Sequence, residues 1–182
     1  MSDIIVSQMD IDHLKIIRQS IIDFMIYVAK YYAKKPGILL DIAPQIYEGA
    51  KPFFLPSIKI ETFDINPASG CTYIGDICTY NNCLKNDSFD YIVCTEVLEH
   101  TLQPFNAVAE ILRILKPGGI IFLSVPFNLR IHGPLPDCWR FTEHGLRVLL
   151  KDFSILELNN IETLERQLMP VHYTVVAQKL SK

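Results

Sequence analysis

Glycine is scarce, with eight in 182 residues, and none fall into the G-x-G-x-x-G spacing of a dinucleotide-binding turn. That absence, with no other nicotinamide-site signal, argues against a dehydrogenase. Cysteine is limited to positions 71, 78, 83, 94 and 138, an odd count with no C-x-x-C pair. Cys78 and Cys83 lack zinc-knuckle spacing, and no metal-ligand cluster stands out along the chain. Reduced thiols in a cytoplasmic protein are the simplest reading. Long apolar runs are also missing. The stretch from Ile16 to Ala33 is interrupted by Arg18, Gln19, Asp23 and Lys30, whereas a membrane span needs about 20 predominantly apolar residues. Met1-Ser2-Asp3 carries no basic region and does not read as a secretory signal. Basic clusters are reduced to Lys34-Lys35 in a chain of net charge −3, which argues against a nucleic-acid partner.

What is present describes an ordinary globular chain. Hydrophobic residues make up 49% and charged residues 20%, with mean hydropathy +0.21. The length suits one domain, an N-terminal helix over 1–36 and an α/β core over 37–182. Ile11, Leu14, Ile17, Ile21, Met25, Val28 and Tyr32 recur at three- and four-residue steps, predicting a helix over Asp10 to Lys34, stopped by Pro36-Gly37. From there, apolar runs alternate with helical patterns. Strands are expected at 37–42, 58–65, 73–77, 89–94, 120–125, 154–158 and 173–179, with helices at 104–115 and 143–150. Continuous apolar strands between helices indicate a doubly wound, Rossmann-like α/β fold. The expected sheet has seven strands, mostly parallel with an antiparallel edge strand, and helices on both faces. Such folds bind ligands at the carboxyl ends of their strands, where Asp41, Asp64, Asp76 and Cys94 would share a rim.

Asp41 and Asp64 end the first two strands. An acidic residue ending strand two can accept hydrogen bonds from both hydroxyls of a ribose. The run Ser88-Phe89-Asp90-Tyr91-Ile92-Val93-Cys94-Thr95-Glu96-Val97-Leu98-Glu99-His100, followed by Leu115-Lys116-Pro117-Gly118-Gly119, closely resembles the class I S-adenosylmethionine-dependent methyltransferases. The resemblance spans about residues 37 to 179 and implies S-adenosyl-L-methionine as cofactor, S-adenosyl-L-homocysteine as product, and no metal. It places the cofactor on Asp41, Ile42, Ala43, Pro44 and Gln45 after strand one, and on Asp64 and Ile65 at the ribose. Asp76 and Ile77 flank the adenine, and Cys94 and Thr95 stand beside the methionine moiety. The chain departs from the family at the first motif, where Ala43, Pro44 and Gln45 replace a glycine-rich turn.

Residues 126–142 contain His132-Gly133-Pro134-Leu135-Pro136-Asp137-Cys138-Trp139-Arg140-Phe141-Thr142. This segment resembles the HG-x-P-x-D-x-WRFT loop of a type 11-like methyltransferase subgroup met in glycan and natural-product pathways. The resemblance implies a small-molecule or glycan-precursor acceptor, with His132, Asp137 and Arg140 as candidate catalytic residues and Trp139 anchoring the loop by burying its ring. His132 is the candidate general base, since imidazole titrates near neutrality. An Asp137–Arg140 pair that merely plugs the fold is the competing reading. The altered first motif also leaves open a catalytically degenerate cofactor-binding or regulatory protein. The apolar N-terminal helix suits a lid or a homodimer contact.

Overall fold

The structure is a computed structural model, described here for residues 5–44, 48–164 and 166–181. Helix α1 (Gln8–Tyr31) precedes β1 (Gly37–Ile42), β2 (Ile58–Asp64), β3 (Tyr73–Ile74) and β4 (Phe89–Thr95). Then come α2 (Pro104–Ile114), β5 (Leu115–Pro126), α3 (Glu143–Leu149), β6 (Phe153–Ile161) and β7 (His172–Lys179). The seven strands form one sheet in the order β3-β2-β1-β4-β5-β7-β6. All pairings from β3 across to β5 are parallel, and β7 runs antiparallel to both β5 and β6. The reversed strand therefore lies one place in from the edge.

Adjacent residues on each central strand serve opposite faces, which explains the unbroken apolar runs. Leu40, Ile121, Leu123, Val175 and Ala177 pack with α2 and α3, while Leu39, Phe122 and Val176 pack with Phe24, Met25 and Val28 of α1. Helix α1 starts at Gln8 because Ser7 and Asp10 form a reciprocal capping box. Strand β5 begins at Leu115 rather than Ile120. Leu115 pairs with Phe89, and the register then shifts so that Ile120 meets Tyr91. Helices and strands alternate only beyond β4. The connections β1–β2, β2–β3 and β3–β4 are turns without a helix among the described residues. No described helix is long and apolar enough to cross a membrane.

Candidate active site

A cleft of about 260 Å³ opens at the carboxyl ends of β1, β2 and β4, just below the usual range for small-molecule sites, about 300–1,000 Å³. From the strand side it is lined by Ile42, Ala43, Asp64, Ile65, Asp76 and Ile77. From the other elements come Glu96, His100, Leu102 and the loop prolines Pro134 and Pro136.

Asp64 ends β2, and its Oδ1 accepts the Asn66 N–H at 2.8 Å, a local turn that leaves acceptor capacity for a ligand. Asp76 is fixed the same way by the Cys78 N–H at 2.8 Å. Asn81 Nδ2 donates to the Asp76 carbonyl and to Glu110 of α2. Gly75 makes this packing feasible, because a Cβ there would stand 2.1 Å from Asn81 Oδ1. Two carboxylates beside Ile65, Ile77 and Leu102 fit a nucleoside, whose sugar hydroxyls and exocyclic amine donate while its base packs on apolar side chains.

Not every expected cofactor residue reaches the cleft. Asp41 is buried and turned away, its Oδ2 accepting the Ala50 N–H at 2.7 Å. Burial pushes its carboxyl up to about 6 despite that hydrogen bond. Gly49 closes over the same carboxylate at positive φ, and a Cβ there would lie 2.2 Å from Asp41 Oδ2. Asp41 thus shapes the turn behind the cleft wall. Cys94 is fully buried in the core on the α2 side, its thiol pushed well up by desolvation. Neither Thr95 nor Pro44 lines the cleft, and Gln45 lies outside the described residues. Ala43 holds φ +56, the left-handed backbone that glycine adopts at least cost. The turn thus adopts a left-handed backbone at Ala43 without a glycine.

His132, Asp137 and Arg140 are brought together as one unit. Arg140 Nη1 and Nη2 meet the two Asp137 oxygens at 2.5 and 2.8 Å, a bidentate pair. Arg140 also donates to the carbonyls of Leu129 and Arg130. Asp137 Oδ2 accepts the His132 N–H at 2.9 Å and stands 3.1 Å from its Nδ1. The guanidinium holds the Asp137 carboxyl down at about 2. Trp139 does not bury its ring. It is 42% exposed, and the loop is anchored instead by its indole N–H on the Thr101 carbonyl at 2.8 Å. The Cys138 and Trp139 N–H groups both reach the Glu99 carbonyl.

Three groups outside the sequence-based candidates come to the fore. Glu96, at φ +54, lines the cleft, and its Oε1 accepts from Ser124 Oγ and His172 Nε2, both at 2.8 Å. His172 is fully buried, and its Nδ1 meets Ser20 Oγ of α1 at 2.8 Å. Glu99 is fully buried beside the rings of His100 and His132, whose centroids lie 4.9 Å apart. Burial, then the nearby Glu96 charge, raises the Glu99 carboxyl well above its usual range. Chain separation hid these groupings; Glu96, Glu99 and His100 were visible only as parts of the motif after strand four.

The chain belongs to the methyltransferase-domain family, whose model matches residues 16–178. Its fold is that of the S-adenosylmethionine-dependent methyltransferases. A SAM-dependent methyltransferase of Methanosarcina mazei superposes with TM-score 0.65 at 18% identity, over 85% of this chain and 98% of that one. The 1,6-didemethyltoxoflavin-N1-methyltransferase of Burkholderia thailandensis, solved with its substrate and S-adenosylhomocysteine, gives TM-score 0.63 at 15% identity over 98% and 93%. In sequence, the ubiquinone biosynthesis O-methyltransferase of Haemophilus ducreyi is 32% identical over 53 residues. That match covers 29% of this chain and 22% of the relative's length.

Proposed function

We propose that this protein methylates a small-molecule or glycan-precursor acceptor with S-adenosylmethionine, the adenosyl half lying between Asp64 and Asp76. The observation that carries the reading is the pair of locally fixed carboxylates ending β2 and following β3 in one cleft with apolar walls. Bound there, the cofactor supplies an activated methyl group. Asp64 accepts from the ribose hydroxyls, Asp76 from the adenine amine, and Ala43 brings the backbone close. Loop residues Pro134 and Pro136 help exclude water from the reacting end.

The acceptor enters beside the 127–142 loop, as the HG-x-P-x-D-x-WRFT resemblance suggests. Holding the nucleophile at attack distance supplies several kcal/mol, up to about 7–11. His100 and His132 stand at the acceptor end of the cleft, where the acceptor's proton must leave. Asp137 and Arg140 are positioning residues that set the His132 ring. The O-methyltransferase relative and the N-methyltransferase neighbour leave oxygen and nitrogen acceptors both in view, and the imidazole pair favours oxygen, whose methylation requires loss of a hydroxyl proton. A panel of hydroxyl-bearing acceptors incubated with methyl-labelled S-adenosylmethionine tests this. Label transfer to a hydroxyl supports the reading. Cofactor binding with no transfer to any acceptor class favours the degenerate, regulatory alternative.

A further inference from the structure

We infer that Glu99, His100 and His132 form a binding site for one divalent transition-metal ion of the zinc class at the loop end of the cleft. This deepens the methyltransferase reading and rests on it only for the ion's role, not for the ion's binding. Both Glu99 carboxylate oxygens are buried without a hydrogen-bond partner among the described residues. His100 Nε2 lies 3.7 Å and His132 Nε2 3.9 Å from Glu99 Oε1. Both separations are too long for hydrogen bonds. One donor atom from each of the three residues lies within 4.8 Å of the others. Tetrahedral zinc ligands with bonds of about 2.0–2.1 Å stand about 3.4 Å apart, so small side-chain rotations would close the site on an ion.

The outer contacts select the required tautomers. His100 Nδ1 faces the Pro136 carbonyl at 2.9 Å. His132 Nδ1 faces Asp137 Oδ2 at 3.1 Å and the Arg130 carbonyl at 3.3 Å. Each Nδ1 meets only acceptors and so carries the proton, which leaves both Nε2 lone pairs turned toward the unpartnered carboxylate. Metal-binding histidines are oriented in this way. Glu96 and Asp137 add negative charge around Glu99, opposed by the guanidinium of Arg140. Two imidazoles and one carboxylate suit zinc or iron(II) better than magnesium or calcium. His100 also lines the cleft, so an ion here lies within reach of an acceptor hydroxyl, whose acidity it would raise.

The test uses untagged full-length protein, stripped with chelator and titrated with Zn²⁺ by calorimetry and with Co²⁺ by visible absorption. The expected result is one ion per chain, with tetrahedral or five-coordinate Co²⁺ bands. His132→Ala should weaken binding at least a hundredfold, and Asp137→Asn, which touches no metal, about 10–100-fold. Cys83→Ser and Cys138→Ser should leave it unchanged. Glu99→Gln is a further ligand variant, but the partly exposed His132 keeps the test readable if that one misfolds. Equal affinity in wild type and His132→Ala, or a thiolate-to-cobalt charge-transfer band, overturns the site. S-adenosylhomocysteine titrated into the same samples separates the two readings. Cofactor binding without metal binding defeats only the metal site.

Discussion

Asp41 shows how one residue can be conspicuous in the sequence and take an unexpected place. Its carboxyl, pushed up to about 6 by burial, holds its proton in the folded state where the unfolded chain, with an ordinary carboxyl near 3.9, has lost it. Asp41's contribution to folding stability is therefore greatest below about pH 4, falls as pH rises to about 6, and stays lower beyond. The loss is on the order of 3 kcal/mol at 1.36 kcal/mol per unit. Asp41→Asn keeps an acceptor for the Ala50 N–H and removes the charge. Urea unfolding at intervals from pH 4 to 7 should show wild-type stability declining relative to the variant. Parallel curves would contradict the assignment. At Ala43, relief of the left-handed backbone should make Ala43→Gly more stable by about 1 kcal/mol or less, with cofactor affinity equal or higher. A thermal melt beside a titration checks both. The rim carboxylates Asp64 and Asp76 were legible because each closes a short apolar run. Asp41's inward turn was not, since it depends on Gly49 and Ala50 returning over it.

The 127–142 loop and helix α1 both owe their positions to polar contacts across long chain separations. Arg140 ties Asp137 to the carbonyls of Leu129 and Arg130, so Arg140→Leu should loosen the whole loop. The expected cost is about 1–3 kcal/mol, with acceptor-dependent turnover falling more than cofactor affinity. Unchanged turnover would make the loop a passive cover. Trp139→Ala should cost about 1–2 kcal/mol, the value of one hydrogen bond and partial burial, rather than the larger penalty of emptying a core site. Chemical denaturation distinguishes the two. The boundaries of most strands could be read from apolar runs and turn residues, and the start of β5 could not, because Lys116-Pro117-Gly118-Gly119 reads as a stop while Leu115 still pairs with Phe89. The helical period of α1 was equally plain. That its Ser20 would meet His172, and through it Glu96 in the cleft, had no local signal, since the partners are 152 residues apart.

The sheet order β3-β2-β1-β4-β5-β7-β6 gathers the ends of β1, β2 and β4 with β3 into one cleft, and this placement makes Asp64 and Asp76 neighbours of Glu96 and His100. Two covered faces bury the strands, so the polar residues at their carboxyl ends are free to serve a ligand. On the proposed function, the Asp64–Asp76 cleft binds the adenosyl moiety of the methyl donor. The most direct test is calorimetric titration of S-adenosylhomocysteine into wild type and Asp64→Ala at matched folding. The account predicts one site per chain in wild type and affinity weaker by roughly tenfold to a hundredfold in the variant, the loss of charge-assisted hydrogen bonds worth about 1.5–3 kcal/mol. No binding to wild type, or equal affinity in both proteins, would contradict it.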